Sequence, residues 1–258
     1  MINFEKIESA LKQFKSNKPF DNCVVDNFFD LKTARLLEKD FPHYEDDVWF
    51  EYNNPLEHKK ALNDWNKFPA LTYQILMMLQ SPQMIKLLEK FVGVNLYPDN
   101  GLHGGGWHIH GQGGNLNPHC DYSIHPKCGL QRKLNIIIYL SEKLNPDQHQ
   151  GHLGLWSHDV KKNQPRELIK EVSPIFNRAI IFDTTQDSWH GMSRKLIVPE
   201  GIYRKSLAIY YLTEPHLAKL NQRAVFAPRE DQKNDKQVLE TIKLRSDVNQ
   251  SISVYRKK

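Results

Sequence analysis

Three side chains of types that bind iron have a spacing in this chain that is typical of a metal site. His119 and Asp121 are separated by one residue, and His190 follows far downstream. Two imidazoles and one carboxylate can occupy one face of an octahedral Fe(II) ion and leave three coordination positions open. Residues two apart on a strand project from the same face, so His119 and Asp121 can supply neighbouring ligands while Cys120 points away. The pattern predicts an iron site formed by His119, Asp121 and His190.

A basic residue follows the second histidine within a run of β-strand composition. Alternation along this run puts Arg204, Ser206 and Ala208 on one face, and Lys205 with larger apolar neighbours on the other. The face with small residues leaves room for a ligand, and a guanidinium can hold a carboxylate through two parallel hydrogen bonds. We therefore predict that Arg204 clamps a carboxylate with help from Ser206. Lys205 takes that role if the strand register is shifted by one residue.

Short β-rich runs that must position these residues begin after about residue 95. They are LNIIIYL (134–140), HLGLW (152–156), AIIFD (179–183) and SLAIYYL (206–212). Glycine-rich turns separate several of them, and no helices alternate with them, which favours a barrel or jelly-roll over a parallel α/β sheet. His190 follows the AIIFD run after a short polar loop, so it can face the first two ligands at the mouth of such a barrel.

Residues 1–95 have mainly helical periodicity. Helices are predicted over Phe4–Phe14, Leu31–Lys39 with Asp30 as N-cap, Trp65–Leu79 and Pro82–Phe91, with short extended segments at Cys23–Val25 and Trp49–Tyr52. After Pro215 the chain becomes polar, and a surface helix is predicted within 231–246. The sequence thus predicts a mainly β protein with flanking helices (α+β).

The chain length favours a single domain over residues 1–258. Within it we expect a helical support region at 1–95, a β catalytic core at 96–214 and a polar, helical C-terminal extension at 215–258. The support region is expected to cover the outer apolar face of the barrel. A role of that region in dimerisation is an alternative, and the oligomeric state stays open.

Composition limits the partners and the compartment. The chain has 40% hydrophobic and 25% charged residues and a formal net charge of +5, and its basic residues are dispersed along the sequence. This distribution is typical of a solvated surface, so no nucleic-acid partner is expected. Three cysteines in no paired framework favour a reducing compartment. The N-terminus lacks signal-peptide features and no apolar run is long enough to span a membrane, so a cytoplasmic protein without membrane contact is expected.

Four segments together resemble the Fe(II)/2-oxoglutarate-dependent dioxygenases, specifically the prolyl-hydroxylase-like branch. They are GGGWHIHGQGGNLNPHCDYSIHP, RKLNIIIYLSE, GHLGLW and the stretch from His190 to YRKSLAIYYL, within about residues 100–213. The resemblance implies a double-stranded β-helix core, Fe(II), the co-substrate 2-oxoglutarate and O2, with ascorbate as a further candidate. It also implies hydroxylation of an unactivated C–H bond with release of succinate and CO2.

The same resemblance implies roles for individual residues. His119, Asp121 and His190 would ligate iron, and Arg204 with Ser206 would bind the distal carboxylate of 2-oxoglutarate. Tyr139 falls at the position of a family tyrosine that also reaches this carboxylate, and alternation puts Asn135 on the face of Tyr139. His108 resembles a recurrent pocket position, and His110 shares its face; Tyr139 and His108 could equally be structural residues of the barrel.

Other functions fit parts of the pattern. A cupin usually carries a glutamate shortly after His-x-His, but here no glutamate follows His108 and His110 until Glu142. A non-catalytic jelly-roll module that binds carbohydrate or peptide would not need the iron residues and Arg204 together. The substrate stays open between a peptide residue such as proline, a free amino acid, a sugar and another metabolite. Its contacts are expected within Tyr44–Tyr52 and Cys120–Leu130.

Overall fold

The computed structural model describes residues 1–216, 221, 223–247, 249–250 and 254. The helices of this part of the chain are α1 (Phe4–Leu11), α2 (Leu31–Lys39), α3 (Ala70–Leu79), α4 (Pro82–Val92), α5 (Pro146–His149) and α6 (Lys236–Ser246). The strands are β1 (Asn22–Val25), β2 (Phe50–Asn54), β3 (Glu57–Leu62), β4 (Tyr97–Pro98), β5 (Gly106–His110), β6 (Asn115–Leu116), β7 (His119–Cys120), β8 (Gln131–Tyr139), β9 (Leu153–Asp159), β10 (Gln164–Val172), β11 (Ala179–Asp183), β12 (His190–Met192), β13 (Arg204–Thr213) and β14 (Val225–Phe226).

Two antiparallel sheets form a jelly-roll. The major sheet has the strand order β1-β11-β8-β13-β5-β3-β2, with β4 beside β13 and β6 beside β3. The minor sheet has the order β10-β9-β12-β7-β14. Neighbours in each sheet are mostly distant in the sequence, so the sheets bring together residues from the whole length of the chain.

The main hydrophobic core lies between the helices and one face of the major sheet. It combines helix residues such as Ile7, Leu37 and Leu88 with strand residues such as Ile136 and Leu207, all of them fully buried. Burial of one such side chain contributes about 1.5–3 kcal/mol. Because the helices cover this face, the opposite face of the major sheet is the one that can form a pocket with the minor sheet.

Capping residues determine where helices α2 and α4 begin and end. The predicted helix Leu31–Lys39 is confirmed, and the side chain of its N-cap, Asp30, accepts a hydrogen bond from the Thr33 amide at 2.8 Å. Helix α4 has Ser81 as N-cap and proline in its first turn. It ends at Val92, and the following Gly93 has a φ of +84°, a conformation that glycine adopts without strain.

The N-terminal region contributes more strand than its periodicity indicates. The two predicted extended segments are confirmed as β1 and β2, but β3 was not predicted, and all three belong to the major sheet. Strand β3 has the sequence EHKKAL and is only partly buried, so it lacks the apolar alternation by which strands are recognised. The helix predicted from Trp65 begins at Ala70 instead, since Pro69 disfavours helical geometry at the residue before it.

The C-terminal region is also part of the body of the protein. The predicted surface helix is α6, and its Val238 is buried against Leu56 and Phe226. Strand β14 pairs with β7, with Phe226 opposite His119. Strand β10, which the sequence did not predict, pairs with β9 at the other edge of the minor sheet. Within the described residues, no helix is both long and apolar enough to cross a membrane.

Candidate metal centre and its pocket

The three predicted iron ligands lie together between the sheets. His190 in β12 stands directly opposite His119 in β7, and Asp121 follows β7 immediately. One ligand atom from each residue lies within 4.8 Å of the others, and all three side chains are buried. Cys120 points to the other side, where it packs with Trp189 and Ala227. The pairing of β7 with β12 therefore brings the side chain of His190 to those of His119 and Asp121, as the sequence spacing predicts.

Both histidine rings are oriented by backbone carbonyls. Nδ1 of His119 donates to the carbonyl of Asn117 at 2.9 Å, and Nδ1 of His190 donates to the carbonyl of Ser188 at 2.8 Å. Because a carbonyl can only accept, this tautomer leaves Nε2 of each ring with a free lone pair. Burial, reinforced by the neighbouring His190, lowers the pKa of His119 to about 3, so its ring is neutral at physiological pH.

The carboxylate of Asp121 is held ionised. Burial by itself would raise its pKa, but His190, the Arg132 guanidinium and the hydrogen bond from Tyr210 outweigh burial, and the pKa lies below its usual value. The hydroxyl of Tyr210 donates to Oδ2 at 3.0 Å, and Nη1 of Arg132 lies 3.7 Å from Oδ1. A hydrogen bond from β13 thus fixes a carboxylate that follows β7, and it joins the two sheets at the site.

The donor set fits a divalent metal ion. Nε2 of His119 lies 3.7 Å from Oδ1 of Asp121, and Nε2 of His190 lies 3.9 Å from Oδ2. These distances are too long for hydrogen bonds, so the groups face one another without bonding directly. Two imidazoles and a carboxylate arranged around a shared point are the ligands that Fe(II) takes in a facial triad.

Strand β13 has the register that the sequence predicts. Arg204, Ser206 and Ala208 line the pocket, together with Tyr210. Lys205 faces away, and its Nζ lies 3.3 Å from the Glu38 carbonyl. The pocket-facing cation of this strand is therefore Arg204 and not Lys205.

Arg204 is buried and held in place from two sides. Its Nε donates to the Gly151 carbonyl at 2.8 Å, and its guanidinium lies 4.9 Å from the centre of the Tyr139 ring. Burial lowers its pKa, but an arginine stays charged in proteins. Tyr139 lies behind Arg204, packed with Leu153 and Phe182, and Ser206 is its cross-strand neighbour. A charged group fixed in this way is suited to bind a carboxylate.

The other predicted pocket residues also line the cavity, which has a volume of about 480 Å³. His108 and His110 face it from β5, and Asn135 faces it from β8. Burial lowers the pKa of both histidines well below the usual value, so both are neutral. Among the described residues, neither ring nitrogen of His110 nor Oδ1 of Asn135 has a hydrogen-bond partner of normal geometry. Buried polar atoms of this kind normally bind a ligand or water.

Several pocket residues escaped the sequence reasoning. Tyr210 could have been found, because alternation puts it on the face of Arg204. No local signal marked the others, which are Lys59 in β3, Arg132 in β8, and Arg223, Phe226 and Arg245 near the C-terminus. Of the regions expected to contact substrate, Tyr44–Tyr52 contributes Phe50 and Tyr52, and Cys120–Leu130 contributes Asp121 and Tyr122. Basic residues that are dispersed in the sequence thus converge in the pocket.

Solved structures share this fold. A prolyl hydroxylase from Trichoplax adhaerens, in complex with a hypoxia inducible factor peptide fragment, has 17% identity and a TM-score of 0.57, covering 81% of this chain and 90% of its own. A prolyl-4-hydroxylase from Pseudomonas putida has 13% identity and a TM-score of 0.56, covering 81% and 100%. HygX from Streptomyces hygroscopicus, with nickel, 2-oxoglutarate and hygromycin B, has 13% identity and a TM-score of 0.51, covering 80% and 86%. No curated protein sequence matches the chain significantly.

The fold and the site together define a jelly-roll protein with a candidate metal centre of two histidines and one carboxylate. The family model of the 2OG-Fe(II) oxygenase superfamily matches residues 105–212. Residues 105–212 therefore carry a 2OG-Fe(II) oxygenase domain, which uses iron and 2-oxoglutarate.

Proposed function

We propose that His119, Asp121 and His190 bind the catalytic Fe(II), and that Arg204, Ser206 and Tyr139 bind the distal carboxylate of 2-oxoglutarate. The reaction is hydroxylation of an unactivated C–H bond in a peptide residue or a small metabolite. The convergence of the three ligand atoms within 4.8 Å carries this proposal. A carbohydrate- or peptide-binding module is disfavoured, because it would not need this triad together with a buried arginine in the same cavity.

Once bound, iron and 2-oxoglutarate supply the oxidising chemistry that inserts oxygen into the substrate and releases succinate and CO2. The protein provides geometry and environment. His119 and His190 present Nε2 because their Nδ1–H groups are fixed on carbonyls. Tyr210 orients Asp121 through its hydrogen bond. Arg204 would hold the distal carboxylate of the co-substrate, since its guanidinium faces the cavity and is fixed by the Gly151 carbonyl.

The proposed substrate classes are those of the ligands that are bound in two structures of similar fold. One of these enzymes was solved with a peptide fragment and another with hygromycin B. We therefore propose a peptide or small-molecule substrate, which would contact the residues of β2, β3 and the C-terminal region that line the cavity. We propose no role in nucleic-acid binding.

The domain and compartment complete the proposal. We propose that residues 1–258 act as one domain, supported by β1 to β3 in the major sheet and by β14 in the minor sheet. A cytoplasmic location is supported by Cys23, Cys120 and Cys128, all of which are free thiols.

The test is an anaerobic titration of the Fe(II)-loaded protein with 2-oxoglutarate, followed by visible absorption. We expect a metal-to-ligand charge-transfer band in the wild type and no band in His190→Ala. Circular dichroism should show that the variant keeps its fold. A wild-type protein that binds no iron and shows no band would overturn the proposed site, and peptide and carbohydrate binding would then be tested.

A further inference from the structure

Three pocket residues form a row across adjacent strands of the major sheet. Arg204 in β13 stands opposite His110 in β5. Lys60 in β3 pairs with Ile109 in β5. Because the two strands are antiparallel, the same register places Lys59 beside His110. Since strands are about 4.8 Å apart, Lys59 and Arg204 lie roughly 10 Å apart across this row. All three side chains line the cavity.

Lys59 forms no ion pair with a carboxylate of the residues that the structure describes. Its Nζ lies 5.0 Å from the centre of the Tyr52 ring, and no hydrogen bond or ion pair to Nζ occurs within the described part of the chain. The nearby Glu57 pairs with Arg245 at 3.4 Å. A partly buried ammonium normally needs a counter-charge, because burial disfavours the charged form. The Lys59 ammonium therefore has no counter-charge within hydrogen-bonding distance among the described residues.

The charge balance of the pocket points in the same direction. Its walls carry five cationic side chains, those of Lys59, Arg132, Arg204, Arg223 and Arg245, against the two carboxylates of Glu57 and Asp121. A bound Fe(II) ion adds two positive charges and 2-oxoglutarate adds two negative charges. The loaded pocket therefore keeps the excess of three positive charges that the side chains provide. A concave site with this excess attracts anions.

On this basis we propose that Lys59, with the unpartnered ring of His110 beside it, binds a carboxylate of the substrate, and that the substrate is a small carboxylic acid. The inference rests on the proposed function and deepens it. Arg204 already has its own anchoring contacts and is assigned to the co-substrate. Lys59, two strands away, is then available to hold a second acid close to the iron site. His110 is neutral and can donate to or accept from the same ligand.

The experiment compares carboxylic acids with their uncharged amides. The wild type, loaded with Fe(II) and 2-oxoglutarate without oxygen, is titrated with the N-acetyl derivatives of glycine, alanine, proline and glutamine and with the corresponding amides. Binding is measured by the shift in thermal denaturation and by perturbation of the charge-transfer band. We expect at least one acid to bind roughly ten-fold more tightly than its amide, as is typical of a charged hydrogen bond. If no acid binds better than its amide, the proposal is wrong.

Lys59→Met and Lys60→Met are the matched variants. Lys60 neighbours Lys59 but faces away, with its Nζ 2.7 Å from the Tyr44 carbonyl. We expect Lys59→Met to lose the preference for the acid while 2-oxoglutarate still gives its band, and Lys60→Met to keep both. If Lys59→Met weakens 2-oxoglutarate as Arg204→Met does, Lys59 belongs to the co-substrate site and the inference fails. If the wild type gives no band at all, the proposed function fails instead.

Discussion

The two walls of the pocket are built on different principles. The triad wall, formed by His119, Asp121 and His190 beside the minor sheet, has each side chain fixed by a hydrogen bond to the protein. The basic wall is formed by Lys59, His110 and Arg204 on the major sheet. Among the described residues, the ring nitrogens of His110 have no hydrogen-bond partner and Lys59 has no carboxylate partner. A wall whose groups are already oriented suits a tightly bound metal ion, whereas a wall with unsatisfied groups suits ligands that bring their own charge.

Removal of a triad ligand should have the largest effect. We expect Asp121→Ala or His119→Ala to abolish iron-dependent formation of succinate. Loss of a residue that only supports a metal ligand weakens metal binding by about 10- to 100-fold, and loss of the ligand itself should weaken it further. Iron content and succinate formation are the measurements, with circular dichroism to verify folding. Normal turnover in both variants would remove the triad wall from the mechanism.

Arg204 should come next, because it acts on the co-substrate alone. Arg204→Met is expected to raise the dissociation constant of 2-oxoglutarate by about 10- to 100-fold, since a hydrogen bond to a charged group contributes about 1.5–3 kcal/mol. Lys205→Met, on the opposite face of the same strand, should leave it nearly unchanged. The titration of the charge-transfer band measures both, and the reverse order would assign the clamp to Lys205.

Loss of the hydrogen bond from Tyr210 to Asp121, which joins the two walls, should weaken iron binding to an intermediate degree. Tyr210→Phe removes the hydroxyl that donates to Asp121, and we expect roughly ten-fold weaker iron binding because the carboxylate loses its fixed orientation. Tyr211→Phe is the control, since its hydroxyl donates to the Leu79 carbonyl on the helix-covered face. The control should lower the free energy of unfolding by about 1 kcal/mol without changing iron affinity. Equal iron affinities in the two variants would contradict the role of Tyr210.

The smallest effect is expected for the chemical modification of Cys120, which lies behind the triad wall. Cys120 is buried, and burial raises its pKa, whereas Cys128 is exposed. Burial also raises the pKa of Cys23 to about 12, so at pH 8 this thiol is almost entirely protonated and unreactive. We expect a thiol reagent to modify Cys128 alone in the native protein and all three cysteines after denaturation. Rapid modification of Cys120 would show that the triad wall opens.

Local patterns in the sequence were sufficient to predict much of the triad wall and one face of β13. The spacing of two residues between His119 and Asp121 and the alternation along β13 are properties of a strand by itself, so they could be read without knowing its neighbours. The helix at Leu31–Lys39 was predicted with its N-cap for the same reason, because capping depends on residues a few positions apart.

What the sequence determined by itself is the fold class, the set of candidate metal ligands and the direction in which Arg204 points. The tertiary structure alone decided that β3 pairs with β5 and that the C-terminal residues return to the pocket, which brings Lys59 and Arg245 to the same cavity. Neither segment carries an apolar period that marks it as part of a sheet or a site. Contacts between residues so far apart in the chain depend on strand pairing and packing, and no local pattern of residue types records them.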